Sequence, residues 1–207
     1  MSLRVWDERV LPRLTDRRLS APELDGLRSA ACTGLTGRVL EIGFGSGLNV
    51  RWYPAEVTSV TAIEPSDIAW ELSGPRRASS DVTVDRAGLD GQRLDLPDDS
   101  HDGALVTFSL CTVPDPLLAL REARRVVRQG GRLHVLEHGL APDESVRRWQ
   151  RRMEPLQRAT AGGCHLTRDL VGLLEASGWE VEQREQAYLP GPAIARPWTY
   201  VYRLVAG

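Results

Sequence analysis

Val39-Leu40-Glu41-Ile42-Gly43-Phe44-Gly45-Ser46-Gly47-Leu48-Asn49 is the stretch whose reading decides the fold. Its first residues form a short β-rich run, and glycines then occupy every second position. Glycine has no Cβ, so such a loop turns tightly, lets backbone approach a ligand closely and is expected to open a helix N-terminus. Structural turns account for many glycine loops, so the loop alone decides little. Glu64 adds to it. That acid closes the next β-rich run, Ser59-Val60-Thr61-Ala62-Ile63, twenty-one residues after Gly43. A carboxylate at that place can accept both hydroxyls of a ribose.

Outward from this pair, apolar runs alternate with helical patterns, which predicts an α/β fold with a doubly wound, Rossmann-like sheet and helices on both faces. Strands are expected at 38–42, 59–63, 82–84, 102–108 and 132–136, with two more at 179–186 and 198–205. Pro116 opens a helix that Gly130-Gly131 stops, and its arginines read as a solvated face because Glu122 is interleaved. A basic helix covers 147–158, and another runs from about Thr167 to Ala176 with Thr167-Arg168-Asp169-Leu170 as its capped start. Residues 1–34 read as N-terminal helices forming a lid, with Ser20-Ala21-Pro22-Glu23 as one helix start. There is no repeat or linker, so 1–207 reads as a single domain.

Composition narrows the function classes. Hydrophobic residues at 42% and charged residues at 26% are globular values, and a net charge of -2 offers no general attraction to nucleic acid or anionic lipid. All 26 basic residues are arginines, so no lysine amine is available for chemistry. Cys32, Cys111 and Cys164 form neither a CxxC pair nor an even disulfide framework, which points to a reducing, cytoplasmic setting. No signal peptide or membrane-spanning stretch is expected, and without HxxxH or CxxC spacing no metal is expected either.

Two nucleotide-containing cofactors suit the loop and the acid. Dinucleotide sites carry GxGxxG/A; here the third glycine comes one position early, and Leu48 fills the last place. Glu41 stands two residues before the loop, where it would repel a pyrophosphate and attract a positive charge. The reading is therefore S-adenosylmethionine.

These residues resemble the class I methyltransferases across nearly the whole chain. Residues 39–47 look like the first motif of that family, so the resemblance implies cofactor contacts at Glu41, Gly43, Phe44, Gly45 and Gly47. Glu64, with Pro65 beside it, looks like the ribose-binding acid. Leu89-Asp90-Gly91-Gln92 is similar to the segment beside the adenine amine, which implies that role for Asp90 and Gly91. Cys111-Thr112-Val113-Pro114-Asp115 looks like the motif after the fourth strand, with Ser109 and Leu110 lining the methionine end. The implied sheet has seven strands, the last antiparallel. Within the class, the likeness is to quinone-type and thiol-type small-molecule enzymes. Leu136-Glu137-His138 and Gly163-Cys164-His165-Leu166-Thr167-Arg168 resemble segments of thiol methyltransferases attached to endoplasmic reticulum and lipid droplets, whose hydrophobic N-terminal anchor is not matched here.

The implied reaction is methyl transfer to a small molecule, a thiol or a phenol/quinol. Such an in-line displacement needs alignment and desolvation above all. Where a base is needed, His138 at the end of the fifth strand is the first candidate, with a histidine tying loop to core an equal reading. His165 is a weaker candidate, for which stabilising the Gly162-Gly163 turn is the stronger reading. Cys111 reads as a small buried apolar residue, and Trp149, Met153, Tyr188 and the 189–192 loop as a substrate lid or as core. A nicotinamide oxidoreductase and a non-catalytic cofactor-binding module stay open as alternatives.

Overall fold

The computed structural model describes residues 6–207. Residues 1–5 of the expected N-terminal helical region lie outside the described residues. After a helical turn at Trp6–Val10, the N-terminal segment forms α1 (Leu11–Leu19), a short turn at Pro22–Leu24 and α2 (Asp25–Cys32). The alternating part then runs β1 (Gly37–Ile42), β2 (Val57–Ile63), α3 (Asp67–Leu72), α4 (Gly74–Ala78), β3 (Thr83–Gly88), β4 (His101–Thr107), α5 (Pro116–Val126) and β5 (Val127–His138). It closes with α6 (Glu144–Thr160), α7 (Leu170–Ala176), β6 (Val181–Tyr188), α8 (Arg196–Thr199) and β7 (Tyr200–Ala206).

The seven strands form one sheet in the order β3-β2-β1-β4-β5-β7-β6. The first five pair in parallel, and β7 runs antiparallel to both β5 and β6, as the resemblance implied. Side-chain alternation sorts the core onto two faces. Leu40, Ile42, Ala104, Val106 and Val135 pack with Leu120 and Ala123 of α5 and Leu170 and Leu174 of α7. Val39, Val60, Leu105 and Leu136 point the other way, onto Ala31 and Cys32 of α2. The order reverses beside β1, so the loops after β1 and β4 border a crevice at the carboxyl ends of the strands.

Three local expectations are corrected. The glycine loop opens no α-helix: only a short 3₁₀ turn, Val50–Trp52, follows it. Pro54 makes the helical conformation unfavourable for Tyr53, which is extended at φ -61 and ψ 128. Helix α5 ends at Val126 instead of running to the glycines, because Val127 already pairs with His101. Gly131 then sits in the irregular part of β5, where a Cβ would lie 2.5 Å from the Asp102 carbonyl. Helix α7 begins at Leu170 instead of near Thr167, because Asp169 of the expected start is its N-cap: its carboxylate accepts the Gly172 N–H. Among the described residues no helix is long and apolar enough to cross a membrane.

Candidate functional site

A cavity of about 640 Å³ opens at the crevice. Its floor is Ile42, Gly43, Phe44, Gly45 and Ser46 from the loop after β1; Ile63, Glu64 and Pro65 come from the end of β2. Asp90 and Gly91 form one rim, and Thr107, Phe108 and Ser109 of the β4 end form the other. Leu11, Pro12, Thr15 and Leu19 of α1 stand over it, with Gly162 of the turn after α6 alongside.

Glycine is required at two of these positions for different reasons. Gly43 has φ +75, and a Cβ there would lie 2.2 Å from the Ser109 Cβ. Ser109 is itself fixed, since its hydroxyl donates to the Ile42 carbonyl at 2.8 Å. The two loops therefore touch only because Gly43 has no side chain. Gly91 also approaches β1 closely: a Cβ would stand 2.7 Å from Ile42 Cγ2.

Glu64 is 5% exposed, yet it borders the cavity. Its carboxylate accepts the Gly45 N–H at 2.6 Å and the Ser66 N–H at 2.8 Å, which ties the two loops together. Burial raises its pKa, while those two N–H groups and Arg86 act the other way. Asp90, by contrast, is exposed and holds the Gln92 N–H and side-chain amide, both at 2.9 Å, so its carboxyl lies below the ordinary range.

Gly43, Phe44, Gly45, Glu64, Pro65, Asp90, Gly91 and Ser109 are thus gathered on one cavity, whereas Glu41, Gly47, Leu110, His138 and His165 are not among its lining residues. Glu41 is fully buried beneath the loop, on the α2 side of β1. It accepts the Asn49 amide at 2.9 Å and the Tyr53 hydroxyl. Burial pushes its pKa up to about 7, against the pull of Tyr53, Asn49 and Arg28. Gly47 faces a second hollow next to Arg51 and Arg76, and Leu110 is 2% exposed with its carbonyl taken by Arg168.

The two histidines lie behind the wall made by the post-β4 loop. His138 Nε2 stands 3.2 Å from the Cys164 sulfur. Burial pulls its pKa down, but Cys164 and the Glu137 carboxylate together raise it. His165 Nδ1 meets Glu154 at 2.9 Å, and its backbone N–H holds the Cys111 carbonyl at 2.9 Å.

Arg28 of α2 is the residue that sequence reasoning missed. It lines the cavity at 3% exposure, donating to Asn49 Oδ1 at 2.8 Å and to the Thr107 hydroxyl at 3.3 Å. Its Nε is buried without a hydrogen-bond partner. Burial lowers its pKa and Glu41 opposes that. An arginine among the apolar positions of an N-terminal helix (Leu27, Ala31, Cys32) was the available signal, though nothing local shows which loop it reaches.

The profile of a family described as a methyltransferase domain matches residues 40–135, from β1 into β5. The chain is 33% identical over 162 residues to the human thiol S-methyltransferase TMT1B, covering 74% of this chain and 65% of that protein. It is 32% identical over 111 residues to the demethylmenaquinone methyltransferase of Clavibacter sepedonicus, covering 54% of this chain and 45% of the other. The chain thus spans less than two thirds of either relative's length. A SAM-dependent methyltransferase structure from Thermotoga maritima superposes with a TM-score of 0.67 over 99% of both chains at 21% identity, a likeness of fold. By its fold, and by the methyltransferase-domain family that residues 40–135 match, the chain belongs with the class I S-adenosylmethionine-dependent methyltransferases.

Proposed function

We propose that the chain transfers a methyl group from S-adenosylmethionine to a small apolar molecule, and that the accepting atom is a thiol sulfur. The observation that carries the cofactor half is the convergence of residues 43–46, Glu64, Asp90-Gly91 and Arg28 on one cavity. The residues present suit the cofactor. Glu64 lies at the end of β2 with acceptor capacity for ribose hydroxyls, and Asp90 sits at the rim where an adenine amine would donate. Arg28 lines the cavity, carries a buried N–H without a partner, and would receive the carboxylate of a methionine end. Glu41 contributes from beneath: it holds Asn49, and Asn49 holds Arg28. The 3₁₀ turn after the glycines supplies no long helix N-terminus for a pyrophosphate, which favours this cofactor over a dinucleotide.

Bound there, S-adenosylmethionine supplies a methyl group activated by the sulfonium charge. The chain's part is to align the acceptor and keep water out. Leu11, Pro12 and Leu19 of α1, with Phe108 and Val113, give that end of the cavity an apolar lining, so α1 serves as the lid. The ionisable residues on the lining are Asp7, Asp16, Arg28, Glu64 and Asp90. A thiol suits such a site, because with a pKa of ~8.5 it is already a few per cent thiolate near neutrality. His138 and His165, behind the wall, need then take no part in proton transfer. The thiol half also rests on the likeness to the human thiol S-methyltransferase.

Calorimetric titration with S-adenosylmethionine and S-adenosylhomocysteine, with NADH as control, tests the cofactor. Micromolar binding of the first two, weakened in Glu64→Ala, is expected; binding of NADH alone would overturn the reading. Mass detection of methylated product across alkyl thiols, aryl thiols, phenols and quinols then tests the acceptor. Methylation of a quinol with every thiol refused would remove the thiol assignment and leave the cofactor standing.

A further inference from the structure

Behind the cavity wall, the fold gathers three side chains that methyl transfer does not use. Cys111 lies in the loop after β4, His138 ends β5, and Cys164 follows the Gly162-Gly163 turn after α6. Their donor atoms all lie within 4.8 Å of one another, with the Cys164 sulfur 3.2 Å from His138 Nε2. Tetrahedral zinc holds sulfur at ~2.3 Å and imidazole nitrogen at ~2.0–2.1 Å, so its S-to-N edge is about 3.6 Å and its S-to-S edge about 3.8 Å. The observed S-to-N separation is within a few tenths of an ångström of that edge, and no separation exceeds its edge by more than about 1.2 Å.

We propose that Cys111, His138 and Cys164 bind a zinc ion as a Cys₂His set. Two sulfurs and an imidazole are the soft and borderline donors that select zinc over magnesium or calcium. The set is also held from outside. Glu137, fully buried, accepts the Cys111 N–H at 3.2 Å and the His138 N–H at 3.0 Å, fixing the backbones of two ligands relative to each other. Arg168 donates to the Leu110 and Val113 carbonyls, and the His165 N–H to that of Cys111, which braces the loop on both sides of the first ligand. Binding releases the two thiol protons to solvent, and the ion balances the two thiolate charges. No fourth Cys, His, Asp or Glu joins the group among the described residues, so a water completes the coordination.

Burial argues against other uses of these cysteines. Cys111 is 3% and Cys164 6% exposed, and neither lines the cavity, so an acceptor cannot approach them as nucleophiles. The ion's role is to position the wall. Thr112 and Gly162, one and two residues from the ligating cysteines, both line the cavity. Joining the post-β4 loop, the end of β5 and the turn after α6 at one point fixes the part of the lining that Thr112 and Gly162 supply.

The test does not depend on the proposed reaction, because its readouts are metal binding and stability. Purified protein, stripped with a chelator, is titrated with Zn²⁺ against a chromophoric competitor and separately with Co²⁺. One equivalent is expected, with a thiolate-to-cobalt charge-transfer band and the intense visible bands of a tetrahedral site. Zn²⁺ should raise the thermal midpoint of the wild type and of Cys32→Ala, whose sulfur lies in a different core cluster. Cys111→Ser and Cys164→Ser should lose the equivalent and the midpoint rise, with circular dichroism confirming that each is folded; His138→Ala should lose it also, so the result does not hang on one variant. Failure of the wild type to bind Zn²⁺, retention of the equivalent in a folded Cys164→Ser protein, or a Co²⁺ spectrum lacking the thiolate band would each overturn the proposal. So would a Cys111–Cys164 disulfide forming equally fast with and without Zn²⁺.

Discussion

Gly43→Ala isolates the contact on which the cavity floor depends. Two costs can be worked from the structure. The residue has φ +75, and a non-glycine side chain in that left-handed region costs about 1–2 kcal/mol. The new methyl would also stand 2.2 Å from the Ser109 Cβ and 2.4 Å from its hydroxyl oxygen. Such overlap forces the post-β4 loop to move, at a cost of about 1–3 kcal/mol. The sum is roughly 2–5 kcal/mol, a large part of the stability of a typical domain. Ser109→Gly removes the obstructing atoms at the expense of one hydrogen bond to Ile42, worth about 0.5–1.5 kcal/mol. In that background Gly43→Ala should cost only the backbone part, about 1–2 kcal/mol. Urea unfolding of the wild type, both single variants and the double variant gives the coupling directly. A Gly43→Ala penalty that is the same in both backgrounds would refute the steric argument. A penalty below about 0.5 kcal/mol would refute the backbone argument as well.

Glu41 should make stability pH-dependent. With its pKa raised from 4.5 to about 7 by burial, the folded state keeps a proton that the unfolded chain gives up. The contribution is fully present below pH 4.5 and is lost as pH rises to about 7. Glu41→Gln, which retains acceptor and shape, should therefore gain on the wild type by up to roughly 3 kcal/mol between pH 4.5 and 8. Parallel urea midpoints for the two proteins at each pH read this out, and a difference that does not change with pH would contradict it. Arg28→Met should weaken S-adenosylmethionine at least about tenfold, as expected for a lost charge-assisted hydrogen bond. Calorimetry showing unchanged affinity would remove Arg28 from the carboxylate role. Asp169→Ala deletes the α7 cap to the Gly172 N–H and should cost about 1 kcal/mol, measured by thermal unfolding. No loss there would mean that Thr167 or solvent can replace the cap.

Local pattern made much of the framework legible in the sequence. Strands with both faces buried read as short apolar runs, and the glycine loop followed by Glu64 marks the point where the strand order reverses. Residues 43–45 and Glu64 could be picked out from the glycine loop and the acid after the next strand, whereas Asp90-Gly91 and Ser109 were named only through the family resemblance; all of them line the cavity. Side-chain direction was not. Glu41 is one residue before Ile42, and alternation along β1 sends Glu41 to the α2 face and Ile42 to the cavity side. The sequence therefore placed an acid beside the glycine loop without showing that its side chain is buried away from the cavity.

Contacts between distant segments belong to the tertiary structure alone. Arg28 reaches Asn49 and Thr107 only because α2 packs under β1 and β4. Cys111, His138 and Cys164 show no ligand spacing in the chain, yet the post-β4 loop, the end of β5 and the turn after α6 bring their donor atoms within 4.8 Å. A periodic pattern records which face of an element is buried, since burial acts on each residue separately. What that face meets depends on sheet order and on the course of three loops, which single-residue preferences do not encode. The sequence by itself thus determined the class of fold and the glycine loop that borders the cavity; the packing decided which acids, cations and thiols face one another.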